Sequence, residues 1–256
     1  MKQKISDPHF RVEPIRVTLR PQNLCVCAMH NDYSELFIAD EPYWLNLNEK
    51  ASGELLIKRA LKFNHHGLLE HPQATLAFGG FPHSVMQQLR THRTGITFDT
   101  QSQRYTSKRF VWWYESFSEK GSAEALKEFE KLFYIRPVGE YSDRFGNKIV
   151  FDEEKRQKLV QRLAYQVAGL IRTHLIEDKM PFEFFRDTIP AGYRQNFMMS
   201  ANARTLLHLF NMRLPADAQL EIRAAMEMML DWYCKWMPEV GAYYVDKYAY
   251  KSKLAF

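Results

Sequence analysis

The residues of this 256-residue chain best suited to chemistry on a small anion are arginines. Arg90, Arg93 and Arg104 lie in and around a polar segment, Thr91 to Lys108, and Arg186, Arg204 and Arg213 follow later. A guanidinium presents a planar fork of donors that grips phosphate, or the edge of a planar imide, in two places at once, which suits a nucleotide. For each arginine taken singly, the competing reading is an ordinary solvated surface residue. The stretch from Ser200 to Arg223 narrows the choice, because Asn202, Arg204, His208 and Arg213 interrupt an otherwise apolar sequence and polar groups there need partners. On a helix, Asn202 and Arg213 share a face about 16 Å apart, and Arg204 and His208 share another. The alternative is a set of satisfied structural polars beside a Leu/Phe core.

Other chemistries find little support. No phosphate loop of the Gly-x-x-x-x-Gly-Lys type and no Gly-x-Gly-x-x-Gly occurs, so phosphate binding must use side chains. There is no Gly-x-Ser-x-Gly elbow, and Cys25 and Cys27 sit in an apolar run where a thiol stays protonated and inert. With Cys234 they make three cysteines, too few for a disulfide framework and wrongly spaced for a zinc or redox loop, which points to a reducing compartment. His65 and His66 are adjacent and His71 follows, but adjacent side chains do not converge on one ion, and no metal site is expected.

These residues have to be positioned by a folded domain. Hydrophobic residues make up 46% of the chain, aromatics 14% and charged residues 25%, which excludes disorder. The net charge of +5 comes without the basic blocks of a tail that grips polyanions. No linker or repeat divides the sequence, so residues 1–256 are expected to form one domain. No run approaches the roughly 18 apolar residues of a membrane span and no signal peptide opens the chain, which places it in the cytoplasm with no membrane partner.

The expected fold class is α+β, with a sheet in a mixed N-terminal half and a largely helical C-terminal half. Strands are expected at Ile15–Val17–Leu19, at the apolar run Leu24–Ala28 and near Ala74–Phe78, with a helix over Glu49 to Phe63. Pro82 suits a helical first turn whose apolar side is Val85, Met86 and Leu89. Thr91 to Lys108 shows no sustained periodicity, and a long polar segment inside a compact domain usually binds something. Helical stripes follow at Ala125, Leu126, Phe129, Leu132 and Phe133, and at Leu159, Leu163, Val167, Leu170, Ile171 and His174. Further helices are expected over Ala201 to Met212 and Asp217 to Trp236.

Two blocks of this sequence resemble the flavin-dependent thymidylate synthases. The family pattern is Arg-His-Arg, seven residues, then Ser, with Arg-Tyr shortly after. Here Thr91-His92-Arg93 is followed after eight residues by Ser102-Gln103-Arg104-Tyr105, in a form similar to the cyanobacterial and phage variant. The second block runs from Ile189-Pro190 through NARTLLHLFNMR to DAQLEIR, and the segment around His71 resembles the family's flavin-contacting stretch. The resemblance implies reductive methylation of dUMP to dTMP. Methylenetetrahydrofolate gives the carbon, FAD recharged by NADPH gives the hydride, tetrahydrofolate leaves, and no enzyme nucleophile is needed.

Carried over residue by residue, Arg213 is the catalytic arginine at the uracil ring. Gln88, Arg90, Thr91, Ser102, Gln103, Arg104, Arg186 and Arg213 fall at dUMP positions, with Arg104 and Arg186 suited to the phosphate. His71, Thr91, His92, Arg93, Asn202, Arg204 and His208 fall at FAD positions. The resemblance also implies a homotetramer with sites built from several subunits, and no nucleic-acid partner. The chain departs from the pattern in three places. Thr91 stands where the family has its first arginine, one residue is added before Ser102, and His208 stands where Asn is common. Two other readings compete: a catalytically silent flavin-binding relative, and a single-stranded nucleic-acid binder using Arg90 to Arg109 with Tyr105, Phe110, Trp112 and Trp113 as stacking platforms.

Overall fold

The computed structural model describes residues 6–120, 122–143 and 145–250. The first third runs β1 (Arg11–Val17), α1 (Pro21–Asn31), α2 (Pro42–Asn46), α3 (Glu49–Arg59) and β2 (Gln73–Pro82). Next come α4 (His83–Leu89), β3 (Ile96–Thr100), α5 (Gln103–Thr106), α6 (Lys108–Lys120) and α7 (Ser122–Leu132). A hairpin, β4 (Gly139–Ser142) and β5 (Lys148–Phe151), leads to α8 (Glu153–Leu170), which continues as a π-helical stretch, Ile171–Glu177. The chain then runs through α9 (Phe182–Thr188), β6 (Arg194–Asn202), α10 (Ala203–Arg213), α11 (Leu220–Trp236) and α12 (Pro238–Lys247). This is the expected α+β class.

The main sheet is antiparallel in the order β1-β2-β6-β3, so β6 is paired on both sides and comes from the far end of the sequence. One face is apolar by simple alternation: Leu76 and Phe78 of β2 and Phe197 and Met199 of β6 are buried, while Asn196 and Met198 point the other way. Under that face pack Leu206, Leu209 and Phe210 of α10 and Met226, Met229 and Tyr233 of α11. The Phe78 and Phe197 rings stack at 4.6 Å, an arrangement contributing about 1 kcal/mol beyond the area it buries. A second cluster, with Phe110, Trp113, Phe129, Phe133, Val167 and Phe185, is built by α6 to α9.

The stripes expected at Phe129 and Phe133 and at Leu163, Val167 and Ile171 thus face a core of their own, and the helices after Asn202 and before Trp236 form as read. Among the described residues, no helix is long and apolar enough to cross a membrane.

Four local expectations are corrected. The run Leu24–Ala28 lies in the helix α1, not a strand; Pro21 sits in its first turn, and Cys25 and Val26 are fully buried. The expected helix from Glu49 stops at Arg59 and gives way to a 3-10 turn at Leu61–Phe63. Ile15 falls at a register shift in β1, so it is exposed, as is Leu19 beyond the strand. The polar segment after Thr91 is not featureless: Ile96–Thr100 is an edge strand laid along β6, and α5 follows. Phe110 and Trp113 are buried in the second cluster and unavailable for stacking bases, which removes half of the nucleic-acid platform; Tyr105 and Trp112 remain exposed.

Candidate functional site

The last turn of α10 carries Arg213 toward the short connection between α4 and β3. There the Arg213 guanidinium donates from Nε and Nη2 to His92 Nε2, both at 3.3 Å, and Nη2 lies 3.5 Å from Thr91 Oγ1. The Thr91 hydroxyl in turn donates to the Gln88 carbonyl at 2.7 Å. The His208 ring meets His92 edge-on at 5.6 Å. Burial, the Arg213 charge and His208 push the His92 imidazole down to about 4, and burial with Arg213 lowers His208 as well. Both rings are therefore neutral near pH 7, and Nε2 of His92 is an acceptor for a cation rather than a second cation. Among the described residues no carboxylate pairs with Arg213, so its charge stays available to an anion.

The N-terminus of α10 lies at the end of β6. Asn202 caps it, its Oδ1 accepting from Thr205 N at 2.8 Å, and Asn202 N donates to Gly95 O at 3.3 Å. Thr205 Oγ1 donates to Thr94 O, so the Thr94–Gly95 turn is fastened to this helix end. Arg204 reaches Glu70 at 2.5 Å, next to the exposed His71. Arg90 and Arg93 are exposed and make no ion pair among the described residues. The Thr91 hydroxyl, where the family pattern has its first arginine, lies beside Arg213. Asn202 and Arg213 stand at opposite ends of α10. It is His208 and Arg213 that converge, on His92.

The other expected residues lie at the opposite end of β6. Arg104 of α5 pairs with Glu183 of α9 at 2.5 Å and lies over the Tyr105 ring. Arg186, also on α9, is 3.6 Å from Asp187. Ser102 is exposed at the start of α5. Gln103 is only 5% exposed, and neither its Nε2 nor its Oε1 has a partner. A buried carboxamide left this way costs about 1–3 kcal/mol per group.

From Arg194 to Asn202 is eight strand steps, about 26 Å. β3, antiparallel to β6, spans much of the same distance, with Ile96 opposite Ala201 and Thr100 opposite Phe197. Thr91, His92, His208 and Arg213 thus form one group at the C-terminal end of α10, with Asn202 at the helix's other end, and Ser102, Gln103, Arg104 and Arg186 form a second group around α5 and α9. No hydrogen bond or ion pair among the described residues joins the two groups.

Sequence reasoning missed a further set. Gln88 Nε2 donates to Gln219 Oε1, Gln219 Nε2 donates to Glu221 Oε2 at 2.7 Å, and Arg136 Nε meets Glu221 Oε1 at 2.7 Å. Glu221 is 1% exposed. Burial alone would raise its pKa, but the Arg136 and Gln219 bonds outweigh that and hold it below the usual range. The available signal was a Gln and a Glu at alternate positions, Gln219 and Glu221, within the DAQLEIR stretch that opens α11.

The donor set fits a flavin dinucleotide in chemistry. Of Arg93, Arg204 and Arg213, only Arg204 pairs with a carboxylate among the described residues, Glu70, leaving positive charge for a pyrophosphate, while the neutral His92 and Asn202 suit a polar ring edge. An α+β fold that presents unpaired arginines beside neutral polar side chains suits an anionic nucleotide.

Comparison with known proteins narrows that class. The family model described as thymidylate synthase complementing protein matches residues 15–239. A protein of Haloarcula marismortui named flavin-dependent thymidylate synthase is 32% identical over 244 residues, 91% of this chain and 94% of the relative. The fold is shared with Thymidylate Synthase X from Helicobacter pylori, solved with FAD and dUMP (TM-score 0.61, 18% identity, 91% of this chain and 98% of that one). It is shared also with the UMP/dUMP methylase PolB from Streptomyces cacaoi bound with 5-Br dUMP (TM-score 0.66, 20% identity, 93% and 95%). The chain belongs to the flavin-dependent thymidylate synthase family, and it is a flavoenzyme of thymidylate synthesis.

Proposed function

We propose that residues 1–256 form a single catalytic domain that methylates dUMP to dTMP, with methylenetetrahydrofolate as carbon donor and NADPH as reductant, in a cytoplasmic homotetramer. The observation that supports this reading is the separation of the candidate residues into two groups that no hydrogen bond or ion pair joins among the described residues, one around Arg213 and one around Arg104 and Arg186. A second copy that brings its Arg104 and Arg186 group to the first copy's Arg213 would complete one nucleotide site. In that arrangement Arg104 and Arg186 of one copy hold the phosphate of dUMP, with Ser102 and Gln103 beside it. Gln88, Arg90, Thr91 and Arg213 of another hold the base and sugar.

FAD, when bound, supplies the hydride that completes the methyl group. The chain's own part is electrostatic. Arg213 is aimed by the neutral His92 and by Thr91, and a fixed cation at the uracil imide edge stabilises negative charge developing on the ring, so no enzyme nucleophile is required. The Cys25 thiol, pushed up by burial, is unsuited to that role in any case. Arg93, Arg204, His92, Asn202 and His208, with His71, are the residues that would hold the flavin.

The experiment pairs two variants. Arg213→Ala and Arg186→Ala are each expected to lose dTMP formation, and a co-refolded mixture to recover about a quarter of the normal rate, because one site in four then combines two intact halves. A mixture no more active than its parents, from a wild-type protein that does make dTMP, overturns the shared site.

A further inference from the structure

The bonds around Gln88 settle a question that a carboxamide normally leaves open, namely which end faces the ligand. This argument rests on the reading above, in which Gln88 lies at the nucleotide. The ionised Glu221 carboxylate is an acceptor only, and it is gripped by Arg136 through Nε at 2.7 Å and Nη2 at 3.3 Å. Gln219 can meet that carboxylate only with its Nε2, which it does at 2.7 Å, and so must turn its Oε1 to Gln88. Gln88 can meet an oxygen only with Nε2. Each amide orientation is dictated by the one before it, and the sequence begins at a charge that is 1% exposed and cannot rotate away.

We infer that Arg136, Glu221 and Gln219 are positioning residues that lock the Gln88 carboxamide with Nε2 turned inward, so that its Oε1 accepts a hydrogen bond from a donor on the nucleotide, either the imide N–H of the base or a sugar hydroxyl. The relay spans the chain. Arg136 comes from the segment before β4, Gln219 and Glu221 from the start of α11, and Gln88 from the last turn of α4. An acceptor aimed this way reads a neutral donor and gives nothing to a phosphate oxygen. Arg136 also lies 5.5 Å from the Tyr141 ring, so the β4–β5 hairpin braces the outer end of the relay.

The test is dUMP affinity of the FAD-loaded enzyme, read by titration calorimetry. Gln88→Met and Gln219→Met are each expected to weaken dUMP about fivefold to tenfold, the loss of one hydrogen bond, while flavin content and melting temperature stay near those of the parent. The double variant is expected to be no weaker than either single one, because Gln219 acts only through Gln88. Losses that multiply in the double variant, or a Gln219→Met protein that binds normally beside a weakened Gln88→Met, overturn the relay. A Gln88→Met protein with normal affinity instead removes Gln88 from the nucleotide site, and with it the reading on which the relay rests. Should Gln219→Met fail to fold, Glu221→Gln serves, since a carboxamide there no longer dictates direction; it is expected to weaken dUMP at least threefold, and parental affinity overturns the proposal. N3-methyl dUMP and 2′,3′-dideoxy-UMP identify the donor: the analogue for which Gln88→Met brings no further loss is the one lacking it.

Discussion

Gly95 offers a demanding test of how the cofactor end of the sheet is assembled. Its backbone is left-handed, φ 67°, and a methyl group there would come within 2.4 Å of Thr205 Oγ1 and 2.7 Å of Asn202 Nδ2. Gly95→Ala therefore incurs two penalties. The left-handed conformation costs a residue with a Cβ about 1–2 kcal/mol. Relieving the overlap pushes away the Thr205 hydroxyl, bound to Thr94 O, and the Asn202 side chain that caps α10, interactions contributing about 1 kcal/mol each. The expected loss is roughly 2–4 kcal/mol, or a fall in melting temperature of roughly 5–15 °C for a chain of this size.

Gly146→Ala is the internal reference. It too is left-handed, φ 85°, but a Cβ there meets nothing within 4 Å, so only the backbone penalty applies. Urea unfolding followed by tryptophan fluorescence measures both. Should Gly95→Ala cost within about 0.5 kcal/mol of Gly146→Ala, the close approach of the Thr94–Gly95 turn to α10 would be refuted.

Three further outcomes follow from the same structure. His92 titrates at about 4 in the folded chain against 6.5 when exposed, so the unfolded chain binds a proton the folded one refuses; stability is unaffected above pH 6.5 and declines as pH falls from there toward 4. Imidazole NMR shifts should show that low midpoint, and Arg213→Gln should raise it; a midpoint near 6.5 in the parent protein contradicts the geometry. Arg194 is buried with Asp7 at 2.8 Å and also donates to the Glu130 and Gly80 carbonyls, so Arg194→Met should cost about 3–5 kcal/mol, read by urea unfolding. Cys25, fully buried with its thiol pushed up, should resist iodoacetamide in the native protein and react after unfolding, as mass spectrometry would show.

The helical half of the fold was legible because its signals are local. Phe129, Phe133, Val167 and Ile171 repeat at helical spacing, and each faces the second core. The N-terminal half was harder, since a short apolar run such as Leu24–Ala28 fits a strand or a buried helix turn equally well; Pro21, at the right place to open a helix, was the clue. β3 was hidden because its partner lies about a hundred residues away. The alternation of Ile96 and Phe98 acquires meaning only once β6 is beside it.

At the site, residue types were readable while their grouping was not. His208 and Arg213 meet on His92 because α10 ends there, and Arg136 lies outside both family-like blocks, so its pairing with Glu221 of the DAQLEIR stretch is not legible locally. The departure at Thr91 is likewise explained only in three dimensions, by a hydroxyl that bridges the Gln88 carbonyl and Arg213.

The two-sided pairing of β6 has one more consequence. Its neighbours β2 and β3 fix its register along nearly its whole length, so a residue inserted or deleted there would break two ladders at once, whereas exchanging an outward side chain such as Met198 breaks neither. What such a strand preserves over evolutionary time is a length. Side chains on its outer face are free to drift, and relatives with few identical residues can still hold the same two places the same distance apart.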